Sequence, residues 1–275
     1  MEAPFRHYTF RHRIISIISR AIFDNVTYTV RHGLLRGMKR KGGLGWIPER
    51  FAGSPETPES AFWRKLDLRG LVVYDVGAWH GLLTMHFARQ AKWVVAYEPI
   101  PENRKRLEEN VALNGLPNVT VRGVALGAGL KDGVMRFDPF SSGTSSVALS
   151  GARGGDDERL VTVVPLDHDI TACKLLAPDF VKVDVEGFEL DVLEGARKTL
   201  TMYHPALFIE LHGRTMTEKR KNSAGVVNLL GTLGYKSFYH IESGNHIAAA
   251  NSEMAAQGHL YCTIGVTEAL AAKPA

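Results

Sequence analysis

Residues 71–99, LVVYDVGAWHGLLTMHFARQAKWVVAYEP, constrain the fold of this chain more than any other stretch. The opening run, residues 71–76, is short, rich in valine and almost wholly apolar, the pattern of a parallel strand buried on both faces. Gly77 and Gly81 follow, then helix formers over residues 82–90 with Leu83 and Phe87 four apart. A second apolar run, residues 93–97, stops at Glu98. Strand, glycine turn, helix and acid-terminated strand make the first half of a nucleotide-binding α/β sheet. The glycines let the backbone approach a ligand where a Cβ would collide. The helix start behind them offers unpaired N–H groups to an anionic group. Glu98 falls 21 residues after Gly77, where a carboxylate accepts hydrogen bonds from both hydroxyls of a ribose.

The glycine spacing separates two cofactors. A dinucleotide site takes G-x-G-x-x-G. Here the pattern is Asp75-x-Gly77-x-x-x-Gly81, with Trp79 where the second glycine belongs. Asp75, at the strand end, suits a turn or an ammonium group. That combination fits S-adenosylmethionine better than NAD, and a dehydrogenase is a distant reading.

Four blocks, DVGAWHGLLT, VVAYEP, NRKRLEENVALNGLPNVTV and FVKVDVEGFELDVLEGA, resemble the FkbM-type S-adenosylmethionine-dependent methyltransferases. The resemblance runs from about Tyr28 to about Gly265. It implies enzymes that methylate hydroxyls of natural products and glycans. It also implies a glycine-rich lead-in before the core and makes KVDVEGFE the family's most recognisable block. Trp79 departs from the smaller or polar residue of the family loop.

A length of 275 residues with 45% hydrophobic content suits one α/β domain with an accessory segment. Residues 1–50 hold ten Lys and Arg against three Asp and Glu, a net +7, so the other 225 residues sum to −3. The basic charge belongs to the N-terminal arm, which weakens a nucleic-acid reading for the domain as a whole. Cys173 and Cys262 stand 89 residues apart with no metal spacing, as expected of reduced thiols in a cytoplasmic protein. No run reaches the ~20 apolar residues of a membrane span.

Residues 6–23 place Ile14, Ile15, Ile18 and Ile22 on one helical face with Arg11, Arg13 and Arg20 around it. Such a helix packs on the domain or on a second subunit, or lies peripherally on an anionic membrane. Residues 31–52 read as a glycine-rich basic segment, a lid or a linker. The expected organisation is an arm over 1–58, a methyltransferase domain over 59–265 and a frayed tail over 266–275. The domain is expected to be a seven-stranded, Rossmann-like class I methyltransferase sheet. Residues 134–137 and 160–164 read as an inserted antiparallel pair, with a Ser/Gly-rich loop over 141–155 between them. One helix is expected through Leu190, Leu193, Ala196 and Leu200. Strands over 236–241 and 259–264 close the sheet as a pair joined across Ser243, Gly244 and Asn245.

Ligands of an open α/β sheet bind at the carboxyl ends of its strands. The cofactor set expected there is Asp75, Gly77, Ala78, Trp79, Gly81, Glu98, Pro99, Val124, Ala125 and Asp184. Lys182 and Asp184 alternate on an otherwise apolar strand, so they face the same side. An unpaired charge there would cost several kcal/mol, so the two satisfy each other or serve a site. The catalytic candidates are His212, Asp184, Glu186 and Lys182. An alcohol acceptor must lose its proton, and His212 is the first choice of base, with Asp184 or Glu186 behind it. Acidic strand ends at Asp184, Glu186 and Glu210 are able to host Mg²⁺, but no metal is expected. The function expected is O-methylation of a hydroxyl on a small molecule, sugar or lipid-linked glycan. One alternative is a nucleic-acid methyltransferase using the basic N-terminal arm for phosphates, against which the fourth strand ends VDVEG and not in an N-P-P-Y type of signature. A non-catalytic methyltransferase fold is the remaining alternative.

Overall fold

The computed structural model describes residues 25–42, 56–137, 145–148, 158–213 and 215–265. The isoleucine-faced segment 6–23, residues 43–52, most of 141–155 and the tail 266–275 lie outside these. The strands are β1 (Thr27–Thr29), β2 (Lys39–Lys41), β3 (Val72–Val76), β4 (Trp93–Tyr97), β5 (Val119–Arg122), β6 (Ala125–Leu126) and β7 (Lys131–Phe137), followed by β8 (Ser145–Ala148), β9 (Glu158–Val164), β10 (Phe180–Val183), β11 (Ala206–Glu210), β12 (Ser237–His240), β13 (Asn245–His246) and β14 (His259–Thr263). The α-helices are α1 (Pro58–Lys65), α2 (Leu82–Ala88), α3 (Pro101–Leu113), α4 (Leu166–Ala172), α5 (Glu189–Glu194), α6 (Arg197–Tyr203) and α7 (Met216–Thr232).

The main sheet has the order β13-β12-β14-β11-β10-β3-β4-β5. Strands β5, β4, β3, β10 and β11 run parallel, and β14 enters antiparallel between β11 and β12. Every residue of β3 is buried, as a strand covered on both faces requires. The sheet therefore has eight strands and not seven. Gly244, at φ 71°, turns the chain so that Asn245 and His246 pair back on β12. That turn joins β12 to β13, and a 3₁₀ segment, Ala249–Ala255, carries the chain to β14. The expected direct connection from β12 to β14 is thus replaced.

Trp63 of α1 lies 4.1 Å, centroid to centroid, from Phe208. With Phe62 of α1 and Phe87 of α2 it covers one face of the sheet, against Phe180, Phe208 and Tyr261. Val192, Leu193, Leu200, Val226 and Leu230 from α5, α6 and α7 cover the other, against Tyr74, Val76, Val181 and Ile209. The single helix expected over 190–200 is two. Asp167 accepts hydrogen bonds from the Lys198 and Thr199 amides (2.9 and 2.8 Å), satisfying the open N-terminus of α6. Gly195 between them packs so closely that a Cβ would sit 2.0 Å from the Gly127 carbonyl oxygen.

Strands β7 and β9 form the antiparallel pair expected, within a second sheet of order β6-β9-β7-β8. Residues 145–148 of the expected loop are strand β8, paired to β7 from Phe137↔Ser145 to Val134↔Ala148. An edge strand needs only backbone partners, so its sequence need show no apolar alternation. From the arm, β1 and β2 form a hairpin on α3. Asn114 bridges the amide and carbonyl of Lys39 (2.8 and 2.7 Å), and Asn110 accepts from the Lys41 amide (2.9 Å). No helix among the described residues is long and apolar enough to cross a membrane.

Candidate active site

The carboxyl ends of β3, β4, β10 and β11 surround an open cavity of about 330 Å³. Gly77 floors it at φ 81°, and a Cβ there would lie 1.8 Å from the Asp184 carbonyl oxygen. Gly81, at φ 80°, begins α2 against Leu107, and the Ala78 amide is tied to Tyr97 O (3.0 Å). Neither Ala78 nor Gly81 lines the cavity; both shape the loop that does. Trp79 lines it with backbone φ 49°, its ring stacked on His80 at 3.9 Å.

Glu98 is buried at the cavity wall. Its Oε2 accepts from the Trp79 amide (2.9 Å) and its Oε1 from the Ile100 amide (3.0 Å) and Asn103 Nδ2 (3.4 Å). Burial outweighs these bonds and pushes the carboxyl up to about 7. Pro99, Val124 and Ala125 continue the wall, joined by Asn103, Leu126 and Met135. The close approach that only glycine permits at Gly77, beside a buried acid, fits a nucleoside-bearing cofactor.

Asp75 does not line the cavity. Its Oδ2 accepts from Thr84 Oγ1 (2.5 Å), and its Oδ1 lies 3.3 Å from Lys182 Nζ. The same ammonium lies 3.3 Å from Asp184 Oδ2 and donates to Gly77 O (2.9 Å). Burial works against this charge, but Asp184 and Asp75 together hold Lys182 above its ordinary value. Lys182 thus ties β3, β10 and the glycine turn together beneath the cavity.

His212, two residues beyond β11, is the hub of the acidic end of the site. Its Nδ1 faces buried Glu189 Oε1 at 2.8 Å, and Glu189 is itself held by the Gly187 amide (2.9 Å) and Asn222 Nδ2 (2.7 Å). Its Nε2 faces Glu210 Oε1 (3.3 Å), Glu186 Oε2 (3.7 Å) and Asp184 Oδ1 (3.8 Å). Burial opposes the imidazolium, but Glu189, Glu210 and Glu186 push it up to about 10. Burial, with Asp184, Glu210 and Glu189 nearby, raises Glu186 to about 7, against the pull of His212. Hydrogen bonds from His212 and His259 lower Glu210. Six carboxylates (Asp75, Glu98, Asp184, Glu186, Glu189 and Glu210), two of them raised to about 7, meet three cations, Lys182, His212 and His259, which leaves a surplus of negative charge that favours positively charged ligands.

The structure brings Gly77, Trp79, Glu98, Pro99, Val124, Ala125, Asp184 and Glu186 to the cavity, with His212 against its acids and Lys182 beneath. Sequence reasoning missed Asn103, Glu189, Asn222 and His259. Glu189 had a signal, a second acid three residues after Glu186 inside the quoted KVDVEGFE block. Asn222 and His259 reach the site from α7 and β14, with no local pattern to mark them.

Fold and site together define a methyltransferase of the α/β class, its sheet closed by a reversed strand and its strand ends carrying a glycine turn and a buried acid. The model of the Methyltransferase FkbM domain matches residues 75–237, and the chain belongs to that family. Hexuronic acid methyltransferase AglP of Haloferax volcanii is 30% identical over 167 residues, which is 54% of this chain and 66% of that protein, just under two thirds. The methyltransferase FkbM structure from Methylobacillus flagellatus is 20% identical, with TM-score 0.49 over 78% of this chain and 50% of that one. A ribosomal protein L11 methylase from Lactobacillus delbrueckii subsp. bulgaricus is 15% identical, with TM-score 0.45 over 77% and 79%. The family assignment rests on the domain match, not on these structural likenesses.

Proposed function

We propose that this chain transfers the methyl group of S-adenosylmethionine to a hydroxyl of a sugar-type acceptor. The observation that carries this reading is one cavity with two unlike ends: a glycine turn beside a buried acid, and an acid–imidazole cluster. A relative whose name makes it a hexuronic acid methyltransferase supports a sugar acceptor. When bound, the cofactor supplies an electrophilic methyl group on a sulfonium, whose positive charge the acid-rich wall favours. Glu98 holds the ribose, while Gly77 and the Trp79 backbone set the depth of the cofactor.

The acceptor oxygen forms its bond to the methyl carbon as the carbon–sulfur bond breaks, and its proton goes to a carboxylate of the wall. Glu186 is assigned that proton. Asp184, Glu189 and Glu210 each already have an oxygen engaged, by Lys182, Asn222 and His259 respectively. His212, with carboxylates on both ring nitrogens, orients the acids around it and does not take the acceptor's proton; this reassigns the base from His212 to Glu186. Positioning supplies much of the remaining acceleration for an in-line displacement.

The test is calorimetric titration of the purified protein with S-adenosylmethionine, S-adenosylhomocysteine and NAD, followed by labelled methyl transfer to neutral sugars and uronic acids. Binding of the first two only, with label in a sugar hydroxyl that Glu186→Gln abolishes, is the expected result. Failure to bind either methionine cofactor would sink the proposal and leave a methyltransferase fold without turnover.

A further inference from the structure

Asp184, Glu210 and His212 share a feature that the cluster's other members lack. Each has one polar atom fixed from behind and one turned toward a common point. Asp184 Oδ2 is held by Lys182 (3.3 Å), leaving Oδ1 forward. Glu210 Oε2 is faced by His259 Nε2 (3.5 Å), itself held through Nδ1 by Glu242 Oε1 (2.5 Å), leaving Oε1 forward. His212 Nδ1 is held by Glu189 (2.8 Å), leaving Nε2 forward. The forward atoms come from the ends of β10 and β11, and all lie within 4.8 Å of one another. Nε2 is 3.3 Å from Glu210 Oε1 and 3.8 Å from Asp184 Oδ1. Neighbouring ligands of an octahedral cation with ~2.1 Å bonds lie about 3 Å apart, so the two edges at Nε2 close with a contraction of under an ångström. Imidazole backed by a carboxylate, and carboxylates backed by cations, are the outer contacts that orient metal ligands.

We propose that Asp184 Oδ1, Glu210 Oε1 and His212 Nε2 bind one divalent cation of the Mg²⁺ or Mn²⁺ kind, with its remaining positions open to water and an acceptor oxygen. Two carboxylates and one imidazole form a set of mostly hard donors that suits these ions. The cation takes the place of the proton on Nε2 and offsets the surplus of carboxylates around it. Its use in catalysis rests on the methyl-transfer reading. There it polarises the acceptor hydroxyl and eases loss of the proton to Glu186, which is outside the ligand set.

The experiment strips the full-length protein with a chelator and titrates it with Mn²⁺, reading free ion by its paramagnetic resonance signal. The expected result is one Mn²⁺ per chain with a dissociation constant on the order of 100 µM or tighter. Glu210→Gln and Asp184→Asn should each weaken it about tenfold or more. Glu186→Gln should keep Mn²⁺ affinity within about twofold and lose turnover, which separates ligand from proton acceptor. Because Asp184 packs on the glycine turn, its variant is read only where circular dichroism shows a folded protein; Glu210→Gln, at a strand end, carries the test otherwise. No Mn²⁺ binding by the wild type, or equal affinity in Glu210→Gln, would overturn the site. Methyl transfer without Mn²⁺ binding overturns this inference alone, whereas Mn²⁺ binding without cofactor binding overturns the methyl-transfer reading alone.

Discussion

At the residue scale, the proposed ribose contact of Glu98 would couple cofactor affinity to pH. Burial raises its carboxyl to about 7, so below neutrality it carries a proton. Only the ionised form accepts both ribose hydroxyls, and binding must first expel that proton. Affinity therefore falls as pH drops through the raised value, by roughly tenfold from about pH 8 to about pH 6. The effect on folding has its own sign. The native state holds a proton that the unfolded chain has released above ordinary carboxylate pH, so this group's contribution to stability declines as pH rises toward 7. Glu98→Gln should weaken S-adenosylmethionine binding about 10- to 100-fold at pH ~8, as loss of charged hydrogen bonds does. It should also flatten the pH slope. Calorimetry at three pH values reads both, and a variant that keeps the wild-type slope would take the ribose role from Glu98. Glu98 and Gly77 were legible because strand, turn and acid fall within one contiguous stretch. Glu189, Asn222 and His259 were not. What makes them part of the site is the register of β11 against β14, which pairs Glu210 with His259, and the docking of α7, which no local spacing encodes.

At the element scale, helix ends set the architecture where apolar periodicity does not. Leu193, Ala196 and Leu200 all reach the core as their spacing suggests, yet the chain breaks between α5 and α6. The break exists because Asp167, 31 residues away from Lys198, caps α6 from the start of α4. Its Oδ1 accepts from the Thr199 amide and hydroxyl (2.8 and 2.7 Å) and its Oδ2 from the Lys198 amide (2.9 Å). Asp167→Ala should cost about 1–2 kcal/mol, the usual value of a lost helix cap. Urea unfolding reads it as a lower midpoint with an unchanged slope. An unchanged midpoint would mean that packing of Leu200 alone fixes α6. The strand count shows the same limit, since β8 and β13 are short edge strands made by backbone pairing rather than by side-chain pattern.

At the scale of the whole molecule, Asn110 joins the arm's hairpin to the glycine turn. Asn110 of α3 accepts from the Lys41 amide of β2 (2.9 Å) and donates to the His80 carbonyl oxygen of the glycine turn (2.9 Å). Leu35 and Met38 of the hairpin bury Met85 on α2, the helix that the turn begins. The hairpin therefore braces the glycine turn from outside, while the sheet's own faces are covered by helices within residues 56–265. A fragment spanning 56–265 should fold, because α1 keeps Trp63 over Phe208. Its loss relative to the full chain should be modest, about 1–3 kcal/mol for one exposed methionine-centred patch and its hydrogen bonds. Its cofactor affinity should fall about three- to tenfold, since a less braced turn must be ordered on binding. Shortening the fragment further, to 67–265, removes α1 and bares Phe62's and Trp63's partners Phe87, Phe180 and Phe208. Losing a buried tryptophan alone costs about 3–5 kcal/mol, a large part of a domain's total stability. Denaturation and cofactor titration on the two fragments separate these effects. Full affinity in 56–265 would reduce the hairpin to a passenger, and a stable 67–265 would show that the aromatic face needs no cover from α1.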